Sequence, residues 1–245
     1  MIYYFSGTGN SKFVAEHLAS SLNDQCFDIT KDGIPAASDN TIGFVFPVYA
    51  WGLPNVVESF IINNKHLLES STYNYAVMTC GDDIGYADVI LNKIIDNRLS
   101  AAFSVQMPNT YVCLPGFDVD SNSVADAKVA STIKGLPEIS EHIKQKEKKT
   151  TVVRGAMPWI KTYMLRPLFN SFLVTDKYFK TNTKCSKCQL CIKECPLHNI
   201  RMGDSGRIEW KHDNCTGCLR CYHQCPNKAI LFGAFTENKG QKKKI

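Results

Sequence analysis

The chain has 245 residues, 44% of them apolar, and 28 Lys and Arg against 23 Asp and Glu give it a net charge of +5. That length and composition allow one substantial core plus a second, smaller domain, and exclude a disordered or low-complexity chain. The positive balance is spread over several segments and accompanies no nucleic-acid recognition motif, so nucleic acid is set aside as a partner and the basic runs are read as solvated surface.

The chain opens with an apolar run, Ile2–Phe5, that leads straight into polar residues. No signal peptide is read there, and a cytoplasmic location is expected. Further apolar runs at Cys26–Ile29, Ile42–Phe46, Tyr75–Thr79 and Phe103–Met107 predict strands. Helical spacing predicts helices over Ser11–Leu22, Asn55–Ile62, Ala87–Asn97 and from about Val124 to Lys146. Such alternation with short connections means an α/β, doubly wound parallel sheet, whose ligands lie at the carboxyl ends of the strands.

A charged run, KQKEKK at 144–149, marks a boundary. The apolar segment Met157–Val174 that follows is interrupted by Pro158, Lys161, Arg166 and Pro167, too often for a membrane span. It is read as a connecting helix packed between domains. Contact with a membrane surface, through Trp159, Tyr163 and the Lys-rich end GQKKKI, is the lesser alternative. The expected divisions are 1–150, an apolar linker 151–180, a cysteine-rich domain 181–235 and a basic tail 236–245. Residues 1–120 carry −8 and residues 121–245 carry +13, so the two halves should attract each other or two different partners.

The loop after the first strand, SGTGNS at 6–11, is built from glycines, hydroxyls and an amide. It lacks the G-x4-G-K-[ST] of a P-loop, and Lys12 stands where a dinucleotide fingerprint needs its third glycine. What remains, Ser6, Thr8, Gly9, Asn10 and Ser11 at a helix N-terminus, suits a small dianionic phosphate monoester such as FMN carries. A serine-rich turn capping a helix is the alternative.

On this loop, residues 1–120 resemble the flavodoxins. The resemblance implies strand order 2-1-3-4-5, an FMN phosphate bound without a basic side chain, and two further loops around the flavin ring. In the first, PVYAWGLPN, Tyr49 and Trp51 are candidates for stacking and Gly52 for a peptide that reorients beside the ring. In the second, TCGDDIGYA, the backbone of Cys80, Gly81 and Asp82 would meet the pyrimidine end. Asp82 and Asp83 depart from the glycine-rich loops of the family, and their charge would disfavour added negative charge on the ring. Tyr86 or Tyr111 could cover the second face; each aromatic has core packing as its alternative. Cys26, Cys80 and Cys113 are read as small buried hydrophobes rather than nucleophiles.

Eight of the eleven cysteines fall in residues 185–225, in a repeat of period 30: CSKCQLCIKECPLHNI returns as CTGCLRCYHQCPNKAI. Both copies read C-x2-C-x2-C-x3-C-P, which points to metal chemistry in a reducing compartment; zinc knuckles normally use cysteine pairs separated by a longer gap. This segment resembles the bacterial-type two-cluster ferredoxins, a small α+β fold. The resemblance implies that Cys185, Cys188, Cys191 and Cys225 hold one [4Fe–4S] cluster and Cys215, Cys218, Cys221 and Cys195 the other. Ile200 and Ile230 would cover the clusters, and His198 and His223 would be surface residues.

The whole order resembles the fused flavodoxin–ferredoxin iron–sulfur proteins of anaerobic bacteria and archaea. The function this implies is electron transfer between two [4Fe–4S] clusters and FMN, a one-electron/two-electron converter serving redox protein partners. The alternative is a ferredoxin-fed flavin reductase acting on a quinone or another small electrophile. No acid–base pair or nicotinamide fingerprint marks a catalytic residue.

Overall fold

In the computed structural model, residues 1–31, 33, 35 and 40–242 are described. Six parallel strands form one sheet in the order β2-β1-β3-β4-β5-β6. They are β1 (Ile2–Tyr4), β2 (Cys26–Asp28), β3 (Thr41–Pro47), β4 (Tyr73–Cys80), β5 (Leu99–Gln106) and β6 (Thr150–Thr151). The order read from the sequence holds for the first five; β6 extends it by one edge strand.

Side chains alternate between the two faces of the sheet, and both faces are covered. Tyr3, Phe5, Phe44 and Met78 pack beneath α2 (Asn55–Asn63) and α3 (Ala87–Ile94). Ile2, Tyr4, Val45 and Val77 pack beneath α1 (Asn10–Leu22) and α4 (Asn122–Lys144). Double coverage is why these strands read as nearly continuous apolar runs instead of alternating ones. Because every strand points the same way, the loops after β1, β3, β4 and β5 gather at one edge.

The linker turns back across that edge. Pro167 has no N–H to give the Tyr163 carbonyl, and the turn before it, Ile160–Leu165, is wound as a π-helix ahead of α5 (Arg166–Phe172). The inner side of this helix is polar and paired: Lys161 with Asp83 and Arg166 with Glu58, both at 2.5 Å. Arg154, just upstream, pairs with Asp88. Thr162 accepts the Tyr86 N–H at 2.9 Å and donates to the Trp51 carbonyl at 3.2 Å. The outer side leaves Trp159, Met164, Leu168 and Phe172 exposed. Among the described residues, no helix is long and apolar enough to cross a membrane.

The cysteine-rich part has two small antiparallel sheets. β7 (Phe179–Thr181) pairs with β10 (Ile230–Phe232), and β8 (Ile200–Met202) with β9 (Ile208–Trp210). Its two short helices are α6 (Leu190–Lys193) and α7 (Arg220–Gln224). The 30-residue repeat is also a repeat of geometry. Gln189 and Leu219 are both left-handed, at φ 61° and 57°, as are His198 and Lys228, at 51° and 49°. The sulfurs of Cys195 and Cys225 accept equivalent N–H groups, from Asn199 at 3.3 Å and Ala229 at 3.2 Å.

Ile200 and Ile230 lie in the core here, with cysteines of both repeats packed around it. That core also contains Val112 and Cys113 from the first half of the chain, so the two units share buried surface. His223 is buried, not on the surface as expected. Its Nε2 donates to the Thr110 carbonyl at 2.8 Å and its Nδ1 accepts the Lys242 N–H at 3.0 Å. Burial keeps the ring neutral by lowering its pKa to about 4. His198 is exposed.

Asp176 opens this part of the chain with a buried carboxylate. It accepts hydrogen bonds from the Asn199 amide (2.5 Å), the His212 N–H (2.9 Å) and the His212 ring (2.7 Å). Burial pushes the carboxyl up, but these hydrogen bonds outweigh it and hold the carboxyl below the usual range. Asp176→Ala should therefore cost about 3 kcal/mol, since bonds to a charged group each contribute roughly 1.5–3 kcal/mol and the Asn199 amide would be left buried without its partner. A guanidinium titration read by the visible absorbance of the loaded protein checks this; an unchanged midpoint would show that the network contributes nothing.

Candidate functional site

The carboxyl edge of the sheet opens into a cavity of about 340 Å3. The loops after β1, β3, β4 and β5 form its floor. The linker helix and the second cysteine repeat close it from above, through residues such as Lys161, Phe169, Gly217 and Cys218.

Of the residues expected from the first loop, Ser6, Thr8, Asn10 and Ser11 line the cavity. Gly9 is not a wall residue; at φ 104° it supplies the left-handed turn from β1 into α1. Its N–H is taken by Ser6 Oγ at 3.1 Å, and Ser11 Oγ bonds Thr79 Oγ1 at 2.8 Å. Asn10 donates to the Pro108 carbonyl at 2.9 Å, while its Oδ1 is buried without a partner. Among the described residues, no hydrogen bond uses the N–H groups of Gly7, Thr8, Asn10 or Ser11. Unused N–H groups at the start of a 13-residue helix, beside an orphaned amide oxygen, fit an anion with hydroxyls attached.

From the second loop, Tyr49 and Trp51 line the cavity. Ala50 and Trp51, both at positive φ, close a two-residue turn in which Tyr49 and Gly52 exchange N–H···O bonds of 3.0 and 3.1 Å. Gly52 lies outside the cavity, contrary to expectation. It faces Arg166, whose guanidinium would overlap a Cβ at that position, so its missing side chain makes room for the linker's ion pair with Glu58.

From the third loop, Cys80, Gly81 and Asp82 line the cavity. Burial raises the Cys80 thiol to about 12, which keeps it protonated and inert. The negative charge expected here is largely offset. Lys161 pairs with Asp83, and the Asp82 side chain is 90% exposed and 3.9 Å from Lys128. Tyr111 joins the cavity wall, whereas Tyr86 lies outside it, against Tyr163 and Arg154.

Among the described residues the ion pairs between the acidic and basic halves are made by the linker and by Lys128, which meets Asp120 and Asp82, not by residues 181–235. The second repeat instead meets the first loop by hydrogen bonds to its backbone. Buried Arg220 donates to the carbonyls of Ser6 (2.6 Å), Gly7 (2.8 Å) and Glu194 (3.2 Å). Lys242 donates to the Thr8 carbonyl at 3.0 Å, and Lys239 to the carbonyls of Val112 (2.8 Å) and Leu114. The expected basic tail is thus docked through residues 236–242; residues 243–245 lie outside the described residues. Contact at this seam is close enough that a Cβ on Gly7 would lie 2.6 Å from Tyr49 Oη and 2.9 Å from the Cys218 carbonyl.

No disulfide joins any of the eleven cysteines. Cys185, Cys188, Cys191 and Cys225 surround one small hollow, and burial followed by the charges of Cys185, Cys225 and Cys188 raises Cys191 to about 11. Burial and the neighbouring sulfurs Cys218, Cys215, Cys195 and, least of these, Cys191 likewise raise Cys221. The thiols thus group as two crossed sets, three from one repeat and the fourth from the other. Burial pushes up Cys191, Cys215, Cys218 and Cys221, and sulfurs gathered in this way form a donor set whose thiolate charge a polycationic centre would neutralise. The first set lies at the surface, with Cys188 exposed; the second borders the cavity through Cys218.

The wall residues Gly7 and Lys161, and Arg220 at the seam, were not among the site residues expected from the sequence. A signal for Arg220 exists, since its counterpart in the first repeat is Leu190.

Comparison with known proteins agrees with these two units. A family model described as a flavodoxin domain matches residues 1–107, and one described as a 4Fe–4S dicluster domain matches residues 177–230. Pyruvate synthase subunit PorD of Methanocaldococcus jannaschii is 41% identical over 49 residues, 20% of this chain and 57% of that protein. A Halobacterium salinarum protein, provisionally named as the iron–sulfur subunit of a dimethyl sulfoxide reductase, is 36% identical over 52 residues, 20% of each chain. The chain thus spans little more than half of the first relative and a fifth of the second. A solved structure provisionally described as a flavoprotein, from Bacteroides eggerthii, is 14% identical, covers 42% of this chain and 85% of its own, and has a TM-score of 0.34. The two matches show a flavodoxin domain over residues 1–107 fused, in one chain, to a 4Fe–4S dicluster domain over residues 177–230.

Proposed function

We propose that the chain is an electron-transfer protein whose cavity holds FMN and whose two crossed cysteine sets hold [4Fe–4S] clusters, for exchange with redox protein partners. When bound, FMN supplies one- or two-electron exchange and each cluster supplies one-electron exchange. The observation that carries this reading is the seam. Cys218, of the second set, and the phosphate-type loop border the same cavity, and Cys218 Cβ would be 2.9 Å from a Cβ on Gly7.

The chain's own residues would act around that seam. The N–H groups of Gly7, Thr8, Asn10 and Ser11 would bind the phosphate and Asn10 Oδ1 a ribityl hydroxyl. Tyr49 and Trp51 would flank the ring, and Lys161 would offset Asp83 beside it. The first set, exposed at Cys188, would face the partner, and the second set, which borders the cavity through Cys218, would face the flavin. The linker and the second domain would exclude water from the ring.

Cavity size favours a carrier over a reductase. About 340 Å3 is near the lower end of small-ligand sites, roughly 300–1,000 Å3. A flavin filling it leaves no comparable space for a quinone, and saturable turnover of a small oxidant would reverse that preference. The direct test is an anaerobic reductive titration of reconstituted protein. Uptake of about four electrons per chain is expected, two by flavin and one by each cluster. Uptake of about two without flavin bleaching would leave the first domain without its proposed cofactor.

A further inference from the structure

Three consecutive carbonyls of the first loop, those of Ser6, Gly7 and Thr8, are held by cations from the far end of the chain: the first two by Arg220, the third by Lys242. In a trans peptide the carbonyl and the following N–H point in opposite directions. Fixing these carbonyls toward the second domain therefore aims the N–H groups of Gly7, Thr8 and Gly9 the other way. Gly9 uses its N–H on Ser6 Oγ; the other two have no partner among the described residues. A cation on the carbonyl also polarises the peptide, which strengthens its N–H as a donor.

Lys242 is the less expected of the two cations. It is half-buried, its ammonium would be 3.7 Å from a Cβ on Gly9, and no carboxylate among the described residues offsets its charge. Burial alone lowers it to about 8. An anion on the opposite side of the loop would supply the missing compensation. The tail that delivers Lys242 is itself anchored: the Gln241 amide donates to the Tyr222 and Cys225 carbonyls at 2.6 and 2.9 Å, and the Lys242 N–H to His223.

We propose that Lys242 is a positioning residue for phosphate, which orients the loop's N–H groups from behind and so couples binding of a phosphorylated flavin to docking of the second domain. This rests on the flavin reading above. Coupling of this kind is reciprocal: phosphate binding tightens docking as much as docking tightens phosphate binding. It also separates FMN from riboflavin, which has the same ring and no phosphate.

The test titrates FMN and riboflavin into the full-length, cluster-loaded apoflavoprotein, following flavin fluorescence, for the native chain, Lys242→Gln and Lys242→Arg. Lys242→Gln should weaken FMN about tenfold, leave riboflavin within twofold, and be rescued by Lys242→Arg, the scale of one charge-assisted hydrogen bond. Equal weakening of both flavins would reduce Lys242 to a structural anchor, and unchanged FMN affinity would overturn the coupling while leaving the flavin site intact. Failure of the native chain to bind either flavin would overturn the flavin reading and the coupling with it.

Discussion

Replacing Arg220 with methionine is expected to open the seam between the two domains, at a cost of about 3 kcal/mol or more. The guanidinium is buried and bridges three carbonyls, two on the first loop and one on Glu194. Methionine keeps the apolar stem and removes every donor, leaving those carbonyls without their charged partner, and each such bond contributes roughly 1.5–3 kcal/mol. The loss should appear as faster hydrogen exchange at residues 6–9 and as new protease cleavage within 152–176. Arg220→Lys should give an intermediate result, because one ammonium keeps the charge but cannot reproduce the planar fork that serves several acceptors at once. Arg201→Met is the control: that side chain is 65% exposed and, among the described residues, its one ion pair is with Glu209, within its own domain. If Arg220→Met exchanged no faster than Arg201→Met, the guanidinium would not be what joins the domains.

Arg220 also marks the boundary of what the sequence makes legible. The sheet can be read because each strand must be apolar on both faces, and the order of β1 to β5 is the one that the flavodoxin resemblance implies. β6 cannot: two exposed threonines carry no apolar signal, and their place depends only on backbone pairing with Ala102 and Phe103. The eight cysteines can be read because thiolate ligation fixes both residue type and spacing. The seam cannot, since its contacts run from cationic side chains to carbonyl oxygens, which every residue possesses. An ion pair between two side chains leaves two charged letters in the sequence; Lys242 on the Thr8 carbonyl leaves one, in a run of lysines that reads as solvated tail. Gly52 shows the same limit from the other side. Its glycine was legible as a special position, but the reason is the Arg166 guanidinium arriving from the linker, not a ligand. What the sequence does offer is the asymmetry of its own repeat. Leu190 against Arg220, and Lys187 against Gly217, separate a repeat turned to solvent from one pressed against the first domain.

That asymmetry gives the second large prediction, on which the order of the two cysteine sets depends. Cys225 belongs to the second repeat in sequence but neighbours Cys185, Cys188 and Cys191; Cys195 belongs to the first but neighbours Cys215, Cys218 and Cys221. Cys225→Ala should therefore match Cys188→Ala, and Cys195→Ala should match Cys218→Ala, in visible spectrum, paramagnetic signals after reduction and electron count. Each variant should take up about three electrons in place of about four. The two pairs should differ in kinetics. Losing the exposed set should slow exchange with an external donor protein while leaving the contact between Cys218 and the first loop in place. Losing the set that borders the cavity should leave exchange with the donor fast and cut off the flavin domain behind it. If Cys195→Ala behaved instead like Cys188→Ala, the fourth cysteine would serve its own repeat and the crossing would be wrong. If both pairs slowed flavin reduction and donor exchange alike, the sets would not be ordered from surface to cavity, and the close approach of Cys218 to Gly7 would be packing without a role in the path.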